Sequence, residues 1–185
     1  MARTLWFLID TLGSLLAMAC LLRGYMHWLG VASRDPIGHF VIAITDWIIK
    51  PLRRLMPVSR RWDWASIVGA LLVAVIMAIA FVLIAGMTHA PVFGLVVLTA
   101  VYWLIKWAVW MLIVVVIAQA VLSWVNPHAP IAPTLNALSY PFLMPLRRFI
   151  PLVGGIDLSP LALILLMQVA LVFLQSTLGA YVLVP

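Results

Sequence analysis

The chain has 185 residues, 66% of them hydrophobic and 9% charged, with 11 Lys and Arg against 5 acidic residues. A soluble domain of this size is about half apolar and a quarter charged, so the composition excludes an ordinary water-soluble fold and defines an integral membrane protein. A net charge of +6 would point to nucleic acid in a soluble protein. Here the basic residues stand just beyond apolar stretches, where they act as topology signals and contacts for anionic headgroups, and no nucleic-acid partner is expected.

Crossing about 30 Å of hydrocarbon takes roughly 20 apolar residues. Four segments qualify, at about 5–28, 64–86, 97–124 and 160–182. The bilayer core offers no water to the backbone, so each must be a helix and the fold class is all-α membrane. In the first span, "LLAMAC" at 15–20 faintly resembles a lipoprotein cleavage site. Only Arg3 precedes the apolar run, however, and Asp10 lies within it; that is poor signal-peptide chemistry, and the segment reads as a retained helix. Cys20 is the single cysteine, so no disulfide or thiolate metal site can form within one chain. It reads as a buried, inert thiol.

Arg23, near the end of the first span, is expected to snorkel to headgroups. The connection that follows carries Arg34, Lys50, Arg53, Arg54, Arg60 and Arg61, and the connection between spans three and four carries Arg147 and Arg148. The stretch between spans two and three, "GMTHAPVFG", has no basic Lys or Arg. With four serial spans the two basic connections share a side, and the positive-inside rule places that side in the cytoplasm. Both termini then face the periplasm, with Arg3 alone against this orientation.

The chain also repeats itself. Shifted by 94 residues, Pro51-Leu52-Arg53-Arg54 falls on Pro145-Leu146-Arg147-Arg148, Pro57 on Pro151 and Asp63 on Asp157. Shifted by 96, Trp28 falls on Trp124 and Arg23 on Gln119. Residues 1–90 and 91–185 therefore read as two copies of one unit, span, connection, span. A two-span unit returns to its starting side, so the copies run parallel; such repeats build some transporters but set no function by themselves.

In the first connection Ile37, Phe40, Val41, Ile44, Trp47 and Ile48 recur at helical spacing, with His39, Asp46 and Lys50 on the other side. Asp35 and Pro36 suit the N-cap and N1 positions. The segment 36–50 is too short to span and reads as an interfacial amphipathic helix. Its counterpart at 130–144 is expected to be interfacial or re-entrant, with a shorter helix broken by Pro141 and Pro145. The motif "PFLMPLRRFIPLVGGIDLSP" at 141–160 then reads as the turn back into the bilayer. In it Gly154 and Gly155 permit a tight bend, Ser159 before Pro160 caps the fourth span, and Asp157 sits near that helix's positive end or pairs with Arg147 or Arg148.

The run "PLRRFIPLVGGIDLSPL", preceded by "SWVNPHAPI", which contains Asn126, resembles the YggT family (also called YlmG, with a chloroplast branch). The resemblance covers essentially the whole chain. The first copy departs from the pattern: "SRRWDWAS" replaces the glycines and the Ser-Pro, so an activity needing the tight turn is expected in the second half. The resemblance implies a multi-pass protein of the bacterial inner membrane. Chloroplast relatives resemble a factor that helps attach haem covalently to cytochrome b6. Bacterial relatives are linked with osmotic tolerance, potassium supply and the neighbourhood of division or nucleoid proteins. No established reaction comes with it.

Asp10 and Lys106 coincide at the 96-residue shift. Each is costly alone in a span, so the two are expected to pair across the repeat axis. His27, His39, His89 and His128 read as interfacial or capping residues rather than haem or metal ligands, and no cofactor is expected. There is no phosphate loop, metalloprotease pair or nucleophile elbow, which argues against an enzyme. Trp6, Trp28, Trp62, Trp64 and Trp124 mark span boundaries, while Trp103, Trp107 and Trp110 cluster beside Lys106 as a helix-packing or partner face.

Two functional classes follow. In the first, the chain is a non-enzymatic scaffold or assembly factor. Its loops carrying Arg53, Arg54, Arg147, Arg148, Gly154, Gly155, Asp157 and Asn126 would meet anionic lipid and an unidentified membrane or cytoplasmic protein. In the second, an oligomer forms a small ion or solute conduit, or modulates one; the spans offer it only Asp10, Lys106, Gln119 and Gln168 as polar lining.

Overall fold

The computed structural model describes residues 2–31, 36–56, 62–85, 92–150, 157–179 and 182. Among the described residues six helices form: α1 (Ala2–Trp28), α2 (Pro36–Leu55), α3 (Trp64–Ala85), α4 (Val92–Val125), α5 (Ala132–Arg147) and α6 (Ser159–Leu178). Helices α1, α3, α4 and α6 are long and apolar enough to cross a membrane, within a few residues of the four predicted spans. The sequence-based expectations for Arg34, Asp35, Pro57, Arg60, Arg61, His89, Pro151, Gly154 and Gly155 fall outside the described residues.

Chain chemistry sets the helix ends. At the close of α1 the Val31 N–H donates to the Met26 carbonyl at 3.0 Å and the Gly30 N–H to the His27 carbonyl at 3.0 Å. This double bond pattern needs a left-handed residue just past the helix, and Gly30 supplies it with φ 72°. Helix α4 instead runs into Asn126-Pro127, where proline has no N–H to continue the ladder.

Helices α2 and α5 differ from their sequence reading in extent. Helix α2 continues through Pro51 to Leu55. Helix α5 passes both Pro141 and Pro145 unbroken and ends at Arg147. A proline deletes only its own N–H bond and clashes only one turn back. Here the face holding Leu135, Leu138, Ser139 and Leu143, all buried, keeps the axis in place. Arg53, Arg54 and Arg147 therefore sit on the last turns of helices, and Arg148 is the residue at which the turn after α5 begins.

Helix α3 lies against both α1 and α4; α2 rests on α1 and α3, and α5 on α4 and α6. Lipid tails are as apolar as leucine, so membrane helices gain most where small residues let backbones approach. On α3, Ala70, Ala74 and Ala78 form such a stripe, each fully buried. A Cβ on Gly69 would come within 2.6 Å of the Ile49 Cδ1 on α2. Trp103 and Trp107 fill the centre with ring centroids 5.8 Å apart, and Trp6 adds to them at 6.1 Å from Trp103 and 4.8 Å from Phe81. The packing face predicted on α4 thus holds for Trp103 and Trp107, whereas Trp110 points outward.

On α2 the protein-facing stripe is Gly38, Val41, Thr45 and Ile49. Phe40 and Trp47 stay exposed, as residues meeting lipid rather than protein would. On α6 burial is confined to Ser159, Pro160 and Leu163 near its start.

Candidate functional site

The two connections close in the same way. In the first half Arg53, on the last turn of α2, donates through Nη2 to Asp63 Oδ2 at 2.6 Å, and Ser66 Oγ donates to the same oxygen at 2.8 Å. The Asp63 carbonyl takes the N–H of Ser66 at 3.0 Å and of Ile67 at 3.3 Å, so this residue also starts α3. In the second half Arg147 Nε donates to Asp157 Oδ2 at 2.8 Å, and Asp157 Oδ1 accepts the Ser159 N–H at 2.9 Å. The pairing expected for Asp157 is present. The cap expected of Ser159 is not: Ser159 is inside the helix and Asp157 is the acceptor, because an aspartate two residues earlier reaches the free N–H groups that a first-turn hydroxyl cannot.

Burial pushes both carboxyls up, but hydrogen bonds outweigh it. Arg53 and Ser66 hold Asp63 below the usual carboxylate range, and Ser159 and Arg147 do the same for Asp157. Each clasp therefore joins a cation to a carboxylate that is ionised throughout the physiological pH range.

Beyond the clasp the halves diverge. Arg23 is only 5% exposed; it does not reach headgroups. Its Nη1 donates to Thr45 Oγ1 at 2.8 Å and to Asp46 Oδ1 at 2.9 Å, and its Nε lies 4.0 Å from Asp63 Oδ2. Lys50 pairs with the other Asp46 oxygen at 2.8 Å, and its hydrogen bond, with that of Arg23, lowers the Asp46 pKa. A continuous network thus runs Lys50–Asp46–Arg23–Asp63–Arg53. Thr45 and Asp46 escaped the sequence reading, which placed Asp46 on the polar side of a helix. The available signal was a lone arginine within an apolar run, which demands a partner when it is buried.

Gln119, the counterpart of Arg23, donates through Nε2 to Asn136 Oδ1 at 3.1 Å on α5 rather than to another span. Tyr25 Oη joins the halves by donating to the Leu138 carbonyl at 2.7 Å.

Other predicted residues are placed as follows. Asp10 and Lys106 make no direct ion pair within 4.0 Å, although their charges interact through space. Both lie half-buried. Asn126 is exposed in the turn after α4, its carbonyl taking the Ala129 N–H at 3.2 Å. Arg54 and Arg148 are exposed, each followed by a large apolar residue in the open: Leu55 is 81% and Phe149 85% exposed. Among the described residues no group of three His, Cys, Asp or Glu side chains converges as a metal site would require.

Four membrane-crossing helices in two similarly ordered halves, each half closed by an arginine–aspartate clasp, define a multi-pass α-helical membrane protein with a repeated plan. The chain belongs to the CCB3/YggT family, whose model matches residues 2–84 and 98–178, one block in each half. It is similar to the uncharacterized protein YggT of Escherichia coli (strain K12), 38% identical over 171 residues that cover 90% of this chain and 86% of that protein. An uncharacterized protein from the proC 3′ region of Vibrio alginolyticus is 33% identical over 177 residues, 94% of each chain. An uncharacterized protein of Haemophilus influenzae is 28% identical over 172 residues, 92% of this chain and 91% of that one. No solved structure matches.

Proposed function

We propose that the chain is a non-enzymatic scaffold or assembly factor of the bacterial inner membrane, presenting its two clasped elbows to a partner protein at the cytoplasmic face. One observation supports this above the rest. In each half one arginine of the pair closes the elbow, and the next two residues, Arg54-Leu55 and Arg148-Phe149, are left exposed at matching positions. A cation beside a large apolar side chain is a combination enriched at protein interfaces, where arginine and aromatic residues anchor binding. The clasp holds that dyad still, which lowers the entropy cost of docking.

The experiment is photocrosslinking in intact membranes from a probe placed at Phe149. A discrete protein adduct that is lost in Arg54→Ala/Arg148→Ala, with chain abundance unchanged, supports the reading. Adducts to lipid alone would count against it. So would potassium or solute flux in liposomes that is abolished by Asp10→Asn; that result would favour an oligomeric conduit.

A further inference from the structure

A pit of about 40 Å³ opens where α4 ends against α5, lined by Gln119, Ser123, Pro127, Ala132 and Asn136 among others. Its floor is polar and incompletely bonded. Gln119 is 6% exposed; its Nε2 is engaged with Asn136 Oδ1, while its Oε1 is buried without a partner. A buried amide oxygen left unbonded costs about 1–3 kcal/mol, so such a site calls for a donor.

Three further features say what kind of donor. Pro127 stands four residues after Ser123 and has no N–H, so the Ser123 carbonyl receives no backbone bond of the helical kind. The pit lies at the C-terminal end of the 34-residue α4, where the unpaired carbonyls carry partial negative charge and favour cations. No basic side chain is among the lining residues, although the same register in the first half is filled by the Arg23 guanidinium. The space holds roughly one small polyatomic group, at about 10–15 Å³ for each water-sized centre. Ser123 and Pro127 at the mouth are exposed, so entry is from the membrane boundary.

We propose that this pit is a binding site for a primary ammonium group. The ammonium donates to Gln119 Oε1 and to the open carbonyl at the end of α4. Two sources share this chemistry: the headgroup of an ethanolamine lipid and a free amine in solution. The proposal stands apart from the scaffold reading, since it concerns the opposite edge of α5 and needs no partner protein.

The test uses the full chain, reconstituted in nanodiscs made only of phosphatidylcholine and titrated with ethanolamine, with tetramethylammonium as the size control. A parallel sample carries phosphatidylethanolamine. The readouts are thermal stability and intrinsic tryptophan fluorescence, to which Trp124 beside Ser123 contributes. A saturable response to ethanolamine but not to tetramethylammonium assigns a soluble source. A response only to phosphatidylethanolamine assigns the lipid.

Either response should vanish in Gln119→Leu and strengthen in Gln119→Glu, by about tenfold, because a charged acceptor makes the stronger bond. Ala132→Leu, which fills the pit without touching the amide, should also abolish it, and this second variant guards against a folding artefact at Gln119. No saturable response to either source, or one that persists in both Gln119→Leu and Ala132→Leu, overturns the proposal and leaves the pit to water.

Discussion

The first half of the molecule ties its elbow down with buried charge, and the second ties the same elbow down almost without it. Arg23, Asp46 and Asp63 lie in one network reaching from α1 through α2 to the start of α3. At the corresponding place the second half has a neutral amide pair, Gln119 and Asn136, a shallow pit, and a clasp whose two partners are 43% and 27% exposed. A buried ion network tolerates little disturbance, because removing one member strands the others away from water. A neutral pair forgives more. The first half is therefore built as a fixed anchor and the second as the more adaptable end.

Removing Arg23 tests this most severely. Arg23→Leu leaves Asp46 and the Thr45 hydroxyl without their buried partner and should cost about 3 kcal/mol of stability. Gln119→Leu removes one neutral hydrogen bond and an unbonded oxygen, and should cost under about 1 kcal/mol. Both follow from thermal or denaturant unfolding in detergent. Equal losses would erase the proposed contrast between the halves.

The clasps come next. Arg53→Ala uncovers a carboxylate that is 6% exposed and should cost about 1.5 kcal/mol, eased by the nearness of Arg23. Arg147→Ala breaks a pair open to solvent on both sides and should cost at most about 0.5–1 kcal/mol. The same unfolding series, repeated at high salt, sharpens the point: screening should weaken the second clasp more than the first.

Acid separates clasp chemistry from packing. Asp63 and Asp157 are both held below the usual carboxylate range. A depressed carboxyl contributes stability that is complete above its unfolded value, about 3.9, and is lost as pH falls through the folded value. Stability should therefore be flat from pH 7 to about 5 and fall only below about pH 4. In Arg53→Ala/Arg147→Ala the fall should shrink, since the cations that lower both values are gone. A transition near pH 6 would instead implicate a histidine.

Much of this was readable in the chain itself, for reasons that differ by feature. The four spans follow from length and apolarity alone; the Asp157 pairing was one of two readings open for that residue, and the Arg53–Asp63 clasp, though the repeat aligned its residues with Arg147 and Asp157, was not read. Two features were hidden. Pro141 and Pro145 look like breaks only while local backbone cost is weighed; the buried face of α5 supplies the tertiary packing that overrides it. Arg23 looked like a snorkelling residue because its acceptors are 22 and 23 positions away, and no local periodicity records that α2 folds back over α1.

The smallest expected effect lies at Asn126, a helix end that shares its register with Gly30. Gly30 and Asn126 coincide at the 96-residue shift, and asparagine is the side chain that best tolerates the left-handed backbone after glycine. Gly30 uses that conformation, with φ 72°. Asn126 does not, for among the described residues no non-glycine has positive φ; its N–H bonds back to the Leu122 carbonyl at 2.9 Å, and Pro127 turns the chain away instead. Gly30→Ala must hold a Cβ in a strained backbone and should cost about 1 kcal/mol. Asn126→Ala meets no such strain and should change unfolding by no more than about 0.5 kcal/mol. A larger loss at Asn126 would mean that the end of α4, beside the ammonium-sized pit, is held by its side chain, and the second half would then be the more tightly specified of the two.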